Sequence, residues 1–80
     1  MTDSELSKLV LQIEVIYPFI YQDFGLLEHS ILRDMWEKLL KEYSYNEAYK
    51  AIIQYLKNDS EGIPPTPGQI RAILKGDQDE

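Results

Sequence analysis

Ile63-Pro64-Pro65-Thr66-Pro67-Gly68-Gln69-Ile70 is the most regular local signal in the chain. Thr66 reads as an N-cap, Pro67 takes the first helical position, where a missing N–H costs nothing, and Gln69 completes a capping box. Beyond it Ile70, Ile73 and Leu74 share one face, Arg71 and Lys75 complement the C-terminal dipole, and Gly76 suits a left-handed cap. A final helix from Pro67 to about Gly76 is predicted. Just before it, Asn58-Asp59-Ser60-Glu61-Gly62 is a breaker cluster.

Further back the same punctuation recurs. Ser44-Tyr45-Asn46-Glu47 is a capping box opening a helix to about Asn58, with Ala48, Ile52, Tyr55 and Leu56 inward and Tyr49 and Ile53 flanking. Ser30 suits the cap of a helix running to about Tyr43, where Leu32, Met35, Trp36, Leu39, Leu40 and Tyr43 form a wide apolar stripe. Asp34 with Lys38, and Glu37 with Lys41, are favourable i,i+4 pairs outside that stripe. Thr2-Asp3-Ser4-Glu5 is another capping box, followed by Leu6, Leu9, Val10, Ile13 and Tyr17 at helical spacing. Pro18 ends or kinks that first helix, since the residue before proline is pushed out of the α region. Phe19 to Glu28, interrupted by Asp23 and Gly25, reads as a short turn with a helical half-turn packed on the core. No alternating β pattern of any length occurs. The fold class is all-α: a compact small bundle of about four helices, with residues 1–76 as one domain and 77–80 as a frayed acidic tail.

Composition bounds what such a domain can do. Eighty residues allow one small domain, and 44% hydrophobic with 28% charged residues is ordinary globular usage. With no cysteine there is no disulfide framework and no thiolate metal site. The longest apolar runs fall far short of the roughly 20 residues a membrane helix needs. Glu5 and Lys8 interrupt the place where a secretory signal would lie. A soluble cytoplasmic protein is the expectation. The net charge is −6. A general phosphate-backbone binder needs a cationic surface, whereas here the cations are few and scattered, so proteins with basic surfaces come first as partners.

The inventory for catalysis is thin. His29, the one histidine, reads as a solvated residue beside a helix cap, and with Glu28 it cannot complete a metal site, which needs three or four convergent ligands. The four glycines are isolated, so there is no phosphate-cradling loop. The reading is a non-enzyme without cofactor or metal. Among the aromatic residues, Trp36, Tyr43, Tyr55 and Phe24 are assigned to the core. Tyr21, Tyr45 and Tyr49 are the candidate partner-binding residues, because tyrosine supplies contact area at low entropic cost.

Three features combine in order: Ile16-Tyr17-Pro18-Phe19, the Trp36-Glu37-Lys38-Leu39-Leu40 helix centre, and Ile63-Pro64-Pro65-Thr66-Pro67 before the last helix. That order resembles the phage replicative-helicase loader/inhibitor family, small acidic helical proteins from phages of Gram-positive bacteria. In that family a "YP-F" segment follows the first helix, a tryptophan-centred helix precedes one with "A…A…Y", and a "PPT" turn introduces the last. Here the third element reads Ala48-Tyr49-Lys50-Ala51-Ile52-Ile53-Gln54-Tyr55. The resemblance spans roughly Val10 to Leu74.

What it implies is an adaptor in the cytoplasm of a bacterial host. Such a protein binds the hexameric replicative helicase, holds it inactive, and helps an origin-binding initiator deliver it to unwound phage origin DNA, without being an ATPase or a DNA reader. In the family a flexible segment after the helical domain is associated with helicase contact. Glu80 therefore corresponds either to the edge of a folded domain within a longer protein or to the end of a shortened relative. In the first case the folded part serves chiefly the initiator or self-association. The alternative is a helix-turn-helix-like DNA-binding module made by the last two helices, with Arg71 and Lys75 on the reading helix. Its connection from Gly62 to Pro67 is long and proline-rich for that motif.

Overall fold

The computed structural model describes residues 1–79, with side chains through Gly76. All of its regular structure is helical: α1 (Asp3–Ile16), α2 (Pro18–Tyr21), α3 (Leu26–Leu40), α4 (Tyr45–Asn58) and α5 (Pro67–Asp79). Four are full helices; α2 is one turn that starts at Pro18, where a half-turn somewhere between Phe19 and Glu28 is expected from sequence.

Three of the starts are set by the capping boxes visible in sequence. Thr2 Oγ1 accepts from the Glu5 amide at 3.1 Å while Glu5 Oε1 accepts from the Thr2 amide at 2.8 Å. Ser44 and Glu47 do the same at 3.1 and 2.9 Å, and Thr66 and Gln69 at 3.2 and 2.9 Å. Each box satisfies two amides that the first helical turn leaves without partners. The Asp59 side chain organises the turn before α5, accepting from the Glu61 and Gly62 amides at 3.2 Å. Gly62 has φ +72°, a left-handed conformation that a Cβ penalises.

Three expectations are corrected. α3 begins at Leu26 rather than after Ser30. Gly25 is its N-cap, and Glu28 at the third helical position reaches back to the Gly25 amide at 3.1 Å. Half of a capping box suffices here, since the carboxylate satisfies the amide and also complements the helix dipole. The anticipated left-handed cap at Gly76 is not used, because α5 runs on to Asp79 and Gly62 is the glycine at positive φ. Finally, neither Asp34 with Lys38 nor Glu37 with Lys41 closes an ion pair; Arg33 with Asp3 and Arg71 with Glu42 pair across different segments instead. The side chains of 77–79 and all of Glu80 lie outside the described residues, and with them the expected frayed tail.

α1 packs on α3 and α4, and α5 packs on the same two from the other side, so the helices run round a ring in the order α1, α3, α5, α4. Trp36 and Leu40 of α3, Leu9 and Ile13 of α1 and Ile70 of α5 fill the centre and are fully buried. Ala48 and Ala51 let α4 approach closely, and Tyr17, Tyr21 and Tyr43 close the margins. Phe24 and Tyr55, assigned to the core from sequence, pack against it while staying half-buried, and Met35 is exposed. The Cα positions span 39 × 30 × 16 Å. A body 16 Å through its short axis is about two helices thick, so each helix keeps an outer face in water. What those outer faces carry is the functional question.

Candidate partner-binding surface

α1 and α3 are antiparallel, and polar contacts fix their register. His29 Nδ1 lies 2.8 Å from Glu14 Oε2. Arg33 Nε donates to Ser7 Oγ at 3.1 Å, and its Nη2 donates to the Asp3 carbonyl at 3.3 Å, 3.6 Å from the Asp3 carboxylate. His29 is thus not the freely solvated residue read from sequence. It ties the first turn of α3 to α1, with the Phe24 ring edge-on 5.6 Å away. With Glu14 ionised, Nδ1 carries the proton of this contact. The register places the start of α3 alongside the second half of α1, with α2 at the same end because it joins them.

That end of the bundle is where apolar side chains face water. Among the described residues, eight of the eleven large exposed apolar ones lie between Leu11 and Ile31. α1 contributes Leu11, Val15 and Ile16, all off the stripe that it buries. On α2, Phe19 is 83% exposed and Ile20 is exposed beside it. At the start of α3 Leu26 is 91% exposed, Leu27 71%, and Ile31 is exposed one turn on. Two shallow concavities open here. One is lined by Val10, Leu11, Glu14, His29 and Arg33, the other by Ile16 to Ile20 and Gly62. Scattered exposed leucines are normal on a protein surface; eight such residues within 21 consecutive positions are a concentration of exposed apolar side chains.

The candidate tyrosines fall in two places. Tyr21 is only 8% exposed and its ring meets Phe24 edge-on at 5.3 Å, so most of its area is spent on the core margin. Tyr45 and Tyr49 lie together on α4, stacked at 5.9 Å with 18° between planes. Tyr45 is half-buried, accepts from Gln12 Nε2 at 3.3 Å, and has Lys8 Nζ 5.5 Å from its ring centre. Tyr49 is exposed and borders a cleft with Lys50, Ile53, Gln54 and Lys57. Reading tyrosine as the anchor leaves the exposed aliphatic residues out. Their signal was present nonetheless: Leu11 and Val15 break the core period of α1, and Leu26 and Leu27 have no place in the stripe around Trp36.

Elsewhere the chemistry is structural. The Tyr17 hydroxyl donates to Asp59 Oδ2 at 2.6 Å. Burial first, then that hydrogen bond, pushes the Tyr17 phenol well above its ordinary range. The same bond, helped by the backbone amides of Glu61, Ile63 and Gly62, holds the Asp59 carboxyl below its usual value. Burial also raises Tyr21 and Tyr55, whose hydroxyl donates to the Ile63 carbonyl. Among the described residues no three acid or histidine side chains gather as a metal site, and no helix is long and apolar enough to cross a membrane. Arg71 Nη2 reaches the Glu42 carboxylate at 3.4 Å, and its Nε is buried without a partner. Lys75 is exposed. The two cations of a would-be reading helix are therefore not equivalent, since one is held against an acid.

Compared with known protein families, the chain matches, over residues 1–71, the family described as the N-terminal domain of the phage helicase loader/inhibitor. Comparison with curated proteins and with solved structures gives no match.

Proposed function

The chain belongs to the family of the N-terminal domain of the phage helicase loader and inhibitor, and from that premise we propose that it is an adaptor that acts on a replicative helicase by contact alone. It binds the hexameric helicase, holds it inactive, and helps an origin-binding initiator place it on unwound phage origin DNA in the bacterial cytoplasm, with no direct hold on nucleic acid. The observation that carries the reading is the family match over residues 1–71. The exposed apolar surface on α1, α2 and α3 supports it, because an adaptor needs side chains to desolvate against a partner.

The physics of such an adaptor has three parts. A charge of −6 steers it toward basic surfaces of DNA-handling proteins, raising the encounter rate in a salt-dependent way. A few aliphatic and aromatic anchors supply affinity once water leaves the interface. Inhibition follows when the adaptor binds the resting helicase conformation better than the translocating one, since a ligand shifts populations only by its differential affinity. Loading follows when the origin-bound initiator competes for the adaptor and releases the ring.

Co-purification with a Gram-positive replicative helicase, with and without ATP, tests the reading. Retention of the chain by the hexamer is the expected result. No retention in either nucleotide state, together with a clear gel shift of DNA by micromolar chain, would replace the adaptor by a DNA-binding module.

A further inference from the structure

We propose that the outer face of α4 is the docking site for an acidic amphipathic helix of a partner protein. Two rows of side chains at i,i+4 spacing run along that face, Tyr49, Ile53 and Lys57 in one and Lys50 and Gln54 in the other, and together they line one concavity. A ridge on a partner helix packs into the groove between two such rows. The inference goes beyond the adaptor reading and does not rest on it, since it assigns a surface of the folded helices and names no helicase contact.

The occupant follows from charge. The lining of this groove holds two cations and no acid, in a chain whose net charge is −6. The acids nearest in sequence lie outside it. Glu47 reaches back to the Ser44 amide, while Asp59 and Glu61 line the separate concavity of the α4–α5 turn, which holds no cation. Among the described residues neither lysine closes an ion pair. Lys57, in the last turn, complements the dipole of α4; Lys50, in mid-helix, has no such role. The floor is Ile53, half-buried, and Tyr49, whose ring is held by stacking on Tyr45 at 5.9 Å. On the α1 side of that stack Lys8 lies 5.5 Å from the Tyr45 ring, a third cation rather than an acid. A matching helix lays Leu or Ile on Tyr49 and Ile53 and sets Asp or Glu against Lys50 and Lys57, whose stems add apolar area. A second copy is the poorer partner. On α3, Asp34 and Glu37 are each followed one turn on by a lysine, and Glu5, Glu28 and Glu47 are engaged at their own helix starts. Single-stranded nucleic acid also fits less well: two lysines neutralise few phosphates, Tyr45 covers one face of Tyr49, and the net charge repels the rest of the strand.

The test uses the 80-residue chain with its Lys50→Gln/Lys57→Gln and Lys50→Glu/Lys57→Glu variants, in which only exposed side chains change; circular dichroism confirms equal helicity. NMR follows the Ile53 methyls and the backbone amides of residues 49–57. The probes are an amphipathic Leu/Glu peptide of about five helical turns, its Leu/Lys counterpart, a scrambled Leu/Glu sequence with no apolar face, and a short oligothymidine. Expected are shifts with the amphipathic Leu/Glu peptide alone, affinity lowered about tenfold by the two glutamates, and a smaller loss with the two glutamines. No shifts, shifts centred on Leu26 and Leu27, or equal binding of the Leu/Lys or scrambled peptide would overturn the proposal. So would unchanged affinity in both variants. Oligothymidine moving the same amides more tightly than the peptide would give the groove to nucleic acid instead. A dimer seen in sedimentation and lost in the glutamate variant would give it to a second copy. An Ile53 shift on Asp77→Asn/Asp79→Asn/Glu80→Gln substitution, with no peptide added, would give it to the chain's own acidic end.

Discussion

Replacing Trp36 by alanine should remove a large part of the stability of this domain. Trp36 is the largest fully buried side chain, at 0% exposure, on α3, the helix that packs on both α1 and α5. Truncating a buried tryptophan to alanine costs about 3–5 kcal/mol, from lost transfer free energy plus the cavity that the neighbours fail to close. A domain of this length has a total of only about 4–12 kcal/mol by ordinary per-residue scaling. Urea unfolding followed by circular dichroism at 222 nm is the assay, tryptophan fluorescence being lost with the side chain. With a slope of about 1–3 kcal/mol/M, the midpoint should fall by roughly 2 M, or the variant should be largely unfolded in buffer. Leu26→Ala is the paired control: at 91% exposure it should change stability by no more than about 0.5 kcal/mol. A loss below about 1 kcal/mol for Trp36→Ala, or a loss above about 2 kcal/mol for Leu26→Ala, would refute the assignment of core and outer face.

Three further outcomes are expected. Gly62→Ala should destabilise by about 1–2 kcal/mol in urea titrations, because φ is +72° while nothing lies within 4 Å of an added Cβ, so the whole cost is backbone strain. Thr66→Ala should cost about 1 kcal/mol and lower the helical signal, since it removes the acceptor for the Gln69 amide at the start of α5. For the pair of Tyr17 and Asp59, the folded carboxyl lies below its unfolded value, so its contribution is present above about pH 4 and is lost as pH falls through the folded value. The folded phenol lies above its unfolded value, so its contribution is full below about pH 10 and is lost as pH rises beyond it. Tyr17→Phe should flatten both limbs of the stability–pH curve, and unchanged limbs would remove the pair from the account.

The parts of the fold legible in sequence were those decided within a few residues. Thr2 with Glu5, Ser44 with Glu47 and Thr66 with Gln69 each close a box locally, so residue identity at two positions fixes a helix start. Gly25 escaped because it has no side-chain acceptor and Ser30 offered a hydroxyl nearby; the decisive sign was Glu28, three residues after the glycine. The contact of His29 with Glu14 spans 15 positions and exists only once α1 and α3 are side by side, which no local pattern states. The surface was half legible. Leu11 and Val15 are off-period and readable as exposed, yet the joining of their end of α1 to Phe19, Leu26 and Leu27 depends on the turn of α2. Tyr45 and Tyr49, one helical turn apart, were readable as neighbours, whereas the burial of Tyr21 depends on Phe24 and the packing of α2 against α1.

Titrating the chain against the unwinding rate of a Gram-positive replicative helicase tests most directly whether it works by contact alone. Unwinding should fall in proportion to added chain, level off at a fixed ratio of chain to hexamer, and recover on dilution. Undiminished unwinding at saturating chain, or a loss that deepens with time at a small fraction of that ratio, would contradict it, the second because only a catalyst acts on more molecules than it holds.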